Sequence, residues 1–494
     1  MPRLLYSAAL KLRCLPLLLL TVCVLAGGPV LAAAPGSDAQ QQLVGQWLQD
    51  VGAGGDQVSV QVRALDNGES LLAVNEAATL NPASSIKLLT TYAGLLQLGA
   101  DYRWQTRFYL DGKLVNGVLQ GDLVLVGGGD PKLVIEDLLA ALGQMRSAGL
   151  RHITGDLRLD NALYATPAAA RVVFDGQASE PYNVWPDAAM LNFKSTKFVV
   201  TPRRGKAELT LDPPLAGITV HNRIQLTRGG CRFRASGLSI REQMPAGQTA
   251  GAPLLEVGGR YSQGCGQGHS FHAVLDHVSF SGALFRAAWE QLGGRWDGVA
   301  RREPRRQQPR SEAPWYTWQS PRTLADIVTD INKFSNNVMT RQLMLQLAAE
   351  RGEPVVDEAS ARRQVTATLR LQGLALPGLV LDNGAGLSRH ARVSAAGLTE
   401  LLAHAAAGPF ADVLRLSLPV VGVDGTMRAR LRKHPVAGNG WIKTGSLADV
   451  RSMAGYVDAQ SGRRYALALI VNGAGARASL PMQDRLLRWV YENG

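Results

Sequence analysis

The sequence predicts an α+β protein in which an antiparallel sheet flanked by helices carries a large, mostly β insertion. Three observations lead there. Residues 38–100 hold a short helical stretch, two candidate strands and one strongly apolar helix. Residues 101–296 change texture to short alternating strands separated by Gly, Pro and Asp. Residues 297–494 return to helices, then close with three strands and an amphipathic helix. A chain of 494 residues exceeds one ordinary core, so two or three domains are expected.

Taken in order, residues 1–33 read as a secretory signal. Arg3, Lys11 and Arg13 precede the apolar stretch LPLLLLTVCVLAGG, and small residues follow, which points to cleavage near Ala32 or Ala33. The alternative is an uncleaved membrane anchor. No later segment has eighteen uninterrupted apolar residues, so the mature chain is expected to be soluble. Export places it in the periplasm.

Gln41 to Val51 reads as a helix. Val58, Val60 and Val62 alternate with polar residues in a half-buried strand, and LLAVNE is a second strand. Leu88, Leu89, Tyr92, Leu95 and Leu96 recur at helical spacing after Pro82, so a buried helix starts near Ser84. In the insertion, RWQTRFYL, GDLVLVGG, GDLRLD, KFVVTP and AELTLD are strands, and helices are expected at 133–149 and 280–293. The part around 207–272 reads as a nested module. It holds Cys231 and Cys265, the two cysteines that remain after the signal is removed. In an oxidising compartment they suggest a disulfide, worth about 3 kcal/mol for a loop of that size. The run RREPRRQQPR, 301–310, reads as a solvated linker. Helices follow at 323–334, 338–350 and 358–371. GWIKTGS, RSMAGYVDA and RYALALIVNG are strands, and 479–491 is the closing helix. The first and last parts are expected to share one sheet.

The formal charge is +12. A basic balance suits nucleic acid, an anionic membrane surface or an acidic substrate. No nucleic-acid motif accompanies it and export argues against that partner, while loose adhesion to anionic lipid remains open. Neither CxxC nor HExxH is present, and the eight histidines show no ligand spacing, so neither metal nor cofactor is expected.

Three short stretches carry the candidate chemistry. In ASSIKLL, Ser84 and Lys87 stand three apart and share a helix face. A serine hydroxyl needs a base to take its proton. A lysine kept neutral by burial is such a base, and a helix N-terminus favours both the neutral amine and a developing oxyanion. A capping serine followed by a surface lysine gives the same letters, so the motif alone does not decide. FSNN sets Ser335 and Asn337 two apart between helices, where both can face a cleft. KTGS places Lys443, Thr444, Gly445 and Ser446 on a strand: a cation and a hydroxyl for a carboxylate, and a glycine that lets a substrate backbone lie against the strand edge. In DNGAGLSRH, Asp382, Ser388 and His390 allow a triad in principle, but no GxSxG elbow surrounds Ser388 and a structural loop is the simpler account. GGGDP, 127–131, lacks GK[ST] and reads as a turn with Asp130 as an anchor.

SxxK, SxN and KTG in this order resemble the penicillin-recognising serine enzymes, the DD-peptidases and serine β-lactamases. More closely, the chain is similar to the D-alanyl-D-alanine carboxypeptidase/endopeptidase family, the class C low-molecular-mass penicillin-binding proteins (peptidase family S13). PASSIKLLTTYAGLLQLG, GDLVLVGGGDPKL, DNGAGLSRHARVS, LPVVGVDGTMRARL and KTGSLADVRSMAGY all look like that family, as does the long insertion between Ser84 and Ser335. The resemblance implies a catalytic domain of residues 38–100 and 297–494 with residues 101–296 inserted. It implies Ser84 as nucleophile, Lys87 as base, and Ser335 relaying a proton to the leaving amine beside Lys443. It implies Asn337 on the substrate amide, Lys443 and Thr444 on the terminal carboxylate, and the Ser84 and Ser446 N–H groups as oxyanion hole. Its partners would be peptidoglycan peptides ending in D-Ala-D-Ala, with β-lactams as inhibitors. Arg389 is assigned to a pocket for an acidic stem-peptide side chain. Asn336 departs from the Asp often found in SxN and alters the local charge. The other functions considered are a β-lactamase or esterase on the same scaffold, and a non-enzymatic cell-wall-binding module.

Overall fold

The computed structural model describes residues 38–50, 52, 54–165, 174–243, 253–304 and 311–494. The signal assigned to 1–33 and the stretch 305–310 lie outside the described residues. The central sheet has five antiparallel strands in the order Gly440–Leu447, Val450–Asp458, Arg464–Asn472, Val58–Ala64, Ser70–Val74. The two ends of the chain therefore meet in one sheet, with Val60 opposite Leu469 and Val62 opposite Leu467.

Both faces of this sheet are covered. Val58, Val60, Val62, Leu467, Leu469 and Val471 pack against the helices Asp38–Gln49 and Leu480–Asn493 through Val44, Trp47, Met482 and Leu486. On the other face Ala466, Ala468 and Ile470 meet the helix Ala395–Ala407 and its neighbours. Small side chains there let the helix approach closely. The alternation in Val58–Ala64 predicted a half-buried strand, yet Ser59 and Gln61 are buried as well. The polar positions hydrogen-bond the covering helix: Ser59 Oγ accepts from the Ala395 N–H at 3.2 Å and Gln61 Oε1 accepts from Thr399 Oγ1. A buried polar side chain costs little once it is so partnered.

The helix Lys87–Leu98 is buried from Lys87 through Leu95, and its buried Thr90 and Thr91 hydroxyls donate to Gly384 O and Lys87 O. It is enclosed by Leu324–Phe334, Asn337–Glu350 and Glu358–Leu371, and this helical core continues onto the sheet.

The inserted region builds a seven-stranded mixed sheet from Gln105–Val115, Val118–Val126, His152–Ile153, Leu157–Asp160, Arg295–Trp296, Ala300–Arg302 and Tyr316–Gln319. The helices Ile135–Ser147 and His277–Gln291 share its core. The sheet reaches past residue 296, where the sequence suggested a boundary, because Tyr316 pairs with Phe108 and Arg301 with Arg158. Arg301 and Arg302 are thus strand residues rather than linker, and Arg301 is paired with Asp156. Two three-stranded sheets complete the region. One holds Thr196–Arg203 between Lys206–Asp212 and Gly268–His272, so strands of the stretch 207–272 pair with a strand that precedes it. The other holds Leu254–Gly264 between Thr219–Gly230 and Ser239–Gln243. Cys231 and Cys265 form a disulfide where two of its strands end. After the buried strand Val118–Val126, Asp130 is buried and accepts the Lys132 N–H at 2.8 Å, which is the anchoring expected of the GGGDP turn.

Candidate active site

The helix that carries Lys87 begins at Lys87 itself, and Ser84 lies one turn earlier in a 3₁₀ turn, Ala83–Ile86. Ser84 was expected to start the helix. Its side chain makes no capping bond, so the serine needs another account. Ala83 has φ 44°, a left-handed conformation that a residue with a Cβ seldom adopts. Several bonds hold this strained turn in place. Asn81 Oδ1 accepts the Ala83 N–H at 2.9 Å and Asn81 Nδ2 donates to Ser388 O at 2.8 Å. Asn81 and Asn472 exchange backbone and side-chain bonds of 2.9 and 3.0 Å, tying the turn to the end of a central strand. Ser452 Oγ donates to Pro82 O and lies 2.8 Å from Ser85 Oγ. Strain of this kind persists only where the surroundings over-determine it.

Gly445 has a use beyond the one its sequence suggested. A Cβ there would stand 2.5 Å from Pro82 O and 2.8 Å from Ser84 N. The missing side chain lets the strand Gly440–Leu447 press against the serine turn.

Lys87 is fully buried. Its Nζ lies 2.9 Å from Ser84 Oγ and 2.7 Å from Asn337 Oδ1, and it also contacts Ala385 O. Loss of water pushes its pKa well below the usual lysine value, and the charge of nearby Lys443 pushes it further down. The Ala385 carbonyl is aimed by its loop: Asn383 Oδ1 accepts the N–H groups of Ala385 and Gly386 at 3.0 and 3.1 Å.

Ser335 ends the helix Leu324–Phe334 in a left-handed conformation, φ 58°. Lys443 Nζ donates to its Oγ at 3.0 Å and to Thr444 O at 2.8 Å. Lys443 is also fully buried, and desolvation lowers its pKa to about 7. Asn337 is the first residue of the next helix, and Asn336 caps that helix by accepting the Met339 N–H at 3.0 Å. Asp and Asn are equally good caps, so the departure from Asp in SxN conserves the local structure. Thr444 Oγ1 donates to Thr426 Oγ1 at 2.9 Å, and Ser446 is exposed.

Thus Ser84, Lys87, Asn337, Ser335, Lys443 and Gly445 converge. Arg389 does not join them by any described contact: it is exposed, with its guanidinium 5.0 Å from the Phe174 ring centre. Nor do Asp382, Ser388 and His390 form a triad. Ser388 Oγ accepts the N–H groups of His390 and Ala391 at 2.9 and 3.0 Å, and Asp382 faces Arg362 at 3.8 Å. Four contributors escaped the sequence: Asn81, Asn472, Ala385 and Thr426. Asn81 and Ala385 sit in stretches with visible motif character, but only the folded chain gives them partners.

With a covered antiparallel sheet, a buried lysine against a serine turn and a second buried lysine on the sheet edge, the molecule has the α+β fold of the penicillin-binding proteins. The chain belongs to the D-Ala-D-Ala carboxypeptidase 3 (S13) family, whose model matches residues 40–493. It is 28% identical over 488 residues to a D-alanyl-D-alanine carboxypeptidase of Actinomadura sp. (strain R39), covering 95% of this chain and 88% of that protein. It is 22% identical over 437 residues to the D-alanyl-D-alanine carboxypeptidase DacB of Haemophilus influenzae, covering 85% and 86%. Its fold matches the crystal structure of penicillin binding protein 4 from Haemophilus influenzae with a TM-score of 0.72 at 21% identity, over 91% of this chain and 99% of that one. The same protein complexed with a β-lactam matches with a TM-score of 0.70.

Proposed function

We propose that the protein is a periplasmic serine D-Ala-D-Ala carboxypeptidase and DD-endopeptidase. It acts on peptidoglycan stem peptides and cross-links through an acyl-serine intermediate and is acylated by penicillin. The observation that carries this reading is the set of three oxygens around Lys87 Nζ: Ser84 Oγ, Asn337 Oδ1 and Ala385 O. A neutral amine has two N–H donors and one lone pair. Asn337 Oδ1 and Ala385 O accept only, so they take the two hydrogens. The lone pair is then left for the Ser84 hydroxyl, whose oxygen can donate. Burial supplies the neutral amine and the acceptors orient it.

On this account Ser84 Oγ attacks the carbonyl of the penultimate D-Ala while its proton passes to Lys87 Nζ. The developing oxyanion is held by the N–H groups of Ser84 and Ser446. A charged Lys443 and Thr444 take the terminal carboxylate, the Thr444 hydroxyl turning its one proton from Thr426 Oγ1 to the carboxylate. As the C–N bond breaks, Ser335 passes a proton to the leaving amine and is itself reprotonated from the lysine network. Asn337 has its Nδ2 for the substrate amide while its Oδ1 stays on Lys87. Water then attacks the ester and returns Ser84. When the leaving amine is D-Ala the reaction is carboxypeptidase; when it belongs to diaminopimelate of another strand it is endopeptidase. The signal-like residues 1–33 support export, and the basic balance supports loose adhesion to anionic lipid. Among the described residues no helix is long and apolar enough to cross a membrane. The body proposed to carry the chemistry is 38–100 with the segment after Gln319, and the region between is inserted.

The test is D-Ala release from an N-acylated peptide ending in D-Ala-D-Ala, wild type beside Ser84→Ala. Release by the wild type alone is expected. Release by both would remove Ser84 from the reaction.

A further inference from the structure

Among the described residues only three Phe, Tyr or Trp side chains are exposed: Tyr182, Phe271 and Phe334, at 37%, 53% and 69%. All three line one cavity of about 520 Å³. Large aromatic side chains left in water cluster where a partner covers them. The cavity lies between two parts of the chain. Phe334, Ser335 and Asn337 form its inner wall. Its outer wall comes from the inserted region, through the 3₁₀ turn Pro181–Asn183 and the strand Gly268–His272.

The lining chemistry narrows the occupant. Among the described residues no lysine or arginine lines the cavity, and Glu180 is its one carboxylate. His272, in the same wall, is 5% exposed and its Nδ1 has no hydrogen-bond partner. Its Nε2 is engaged by Ser270 Oγ at 2.8 Å. Aromatic platforms interspersed with the side chains of Ser195, Ser236 and Ser270 suit a peptide strand, which offers both aliphatic faces and backbone amides. Position narrows it further. The hydroxyl proposed to protonate the leaving amine, Ser335, is part of the inner wall, so a chain that continues from that amine has this cavity before it.

We propose that the cavity is the subsite for the peptide that departs with the leaving amine when a cross-link is cut, and that the inserted region supplies its outer wall. The proposal rests on the peptidase function given above. A free D-Ala leaving group ends too early to use the site. A cross-linked substrate fills it, and binding energy gained there selects the longer substrate.

Phe271→Ala and Phe334→Ala test this, because both side chains are exposed and outside the serine–lysine network. Three readouts are compared: kcat/KM on a muropeptide dimer joined by a D-Ala–diaminopimelate bond, kcat/KM on a short N-acylated D-Ala-D-Ala peptide, and the rate of acylation by benzylpenicillin. Each variant is expected to lose about tenfold on the dimer, carried mainly by KM, as for truncation of a contact aromatic. The short peptide and penicillin should change less than twofold. Equal losses on all three, or no loss on the dimer, would overturn the subsite. A wild type that cleaves the short peptide and takes penicillin but leaves the dimer intact would also overturn it. A wild type inert to all three would instead remove the peptidase function on which the subsite rests.

Discussion

Two serine–lysine pairs meet in this molecule, and they are built in opposite ways. Ser84 and Lys87 are three residues apart on one continuous turn and helix. Ser335 and Lys443 come from a helix end and a sheet strand far apart in sequence, and are joined by a 3.0 Å bond. Both lysines are fully buried and both are pushed toward neutrality by loss of water. They differ in surroundings. Lys87 has oxygens from three separate segments around its Nζ, and it feels Lys443 as a second downward push. Lys443 has Ser335 and its own neighbouring carbonyl, and settles near 7. One buried cavity does not hold two cations readily. The comparison therefore sharpens the proposed division of labour, in which Lys443 carries the charge and Lys87 acts as the base.

The largest effect that would break this division is loss of the base. Lys87→Met is expected to lower acylation by about 10⁴-fold, in the range of knocking out a catalytic base acting as a unit with its nucleophile. Lys87→Arg should be as inactive, because a guanidinium stays charged. Activity retained by the arginine variant in stopped-flow penicillin acylation would show that a cation, not a base, is needed there.

Next comes the pH profile. kcat/KM reports the free enzyme, so its limbs report the free lysines. With Lys443 needed as a cation, kcat/KM for a carboxylate-terminated peptide should fall on the alkaline side with a midpoint near pH 7. It should fall on the acid side as Lys87 becomes protonated. Lys443→Met should lose about 10²-fold and show no alkaline limb, as expected for a positioned proton or charge donor. An alkaline limb that survives the substitution would assign it to another group.

Burying an uncharged lysine costs stability, so the same variant sharpens the comparison from another side. Between about pH 7 and 10.5 the unfolded chain keeps the Lys443 proton while the folded protein sheds it. Wild-type stability from this group therefore rises with pH across that window. Lys443→Met should melt higher than wild type by a few degrees at pH 7, on the order of 1–2 kcal/mol. The gap should narrow toward pH 10.5. Thermal melts at pH 7 and pH 10 check both size and sign. The smallest effect belongs to Asn336→Asp. Either residue caps the helix Asn337–Glu350, so both melting temperature and kcat/KM should stay within about twofold or 1 °C of wild type.

What could be read from the sequence follows the range of the forces involved. Alternation and helical spacing located most strands and helices, because each reflects burial of one local face. Sheet sharing between the chain ends was expected because strand patterns stand near both ends of the chain. The SxxK, SxN and KTG stretches were visible because each packs its chemistry into four residues or fewer. What escaped was set by contacts between distant segments. Ser59 and Gln61 looked solvent-facing until the helix Ala395–Ala407 covered them. Gly445 was read for substrate approach alone, while its missing Cβ also makes room for Ser452, Pro82 and Ser84. The Ala385 carbonyl, one of two acceptors that set the lone pair of Lys87, leaves no mark on residue identity at all. Thr426 reaches Thr444 from a segment read only as family-like.

The central claim is that Ser84 is the residue acylated. Intact mass of the protein after incubation with benzylpenicillin, followed by peptide mapping, tests it most directly. One penicilloyl group on Ser84 in the wild type, and none on Ser84→Ala, is the predicted result. An adduct on another serine, or no adduct with the penicillin left intact, would contradict it.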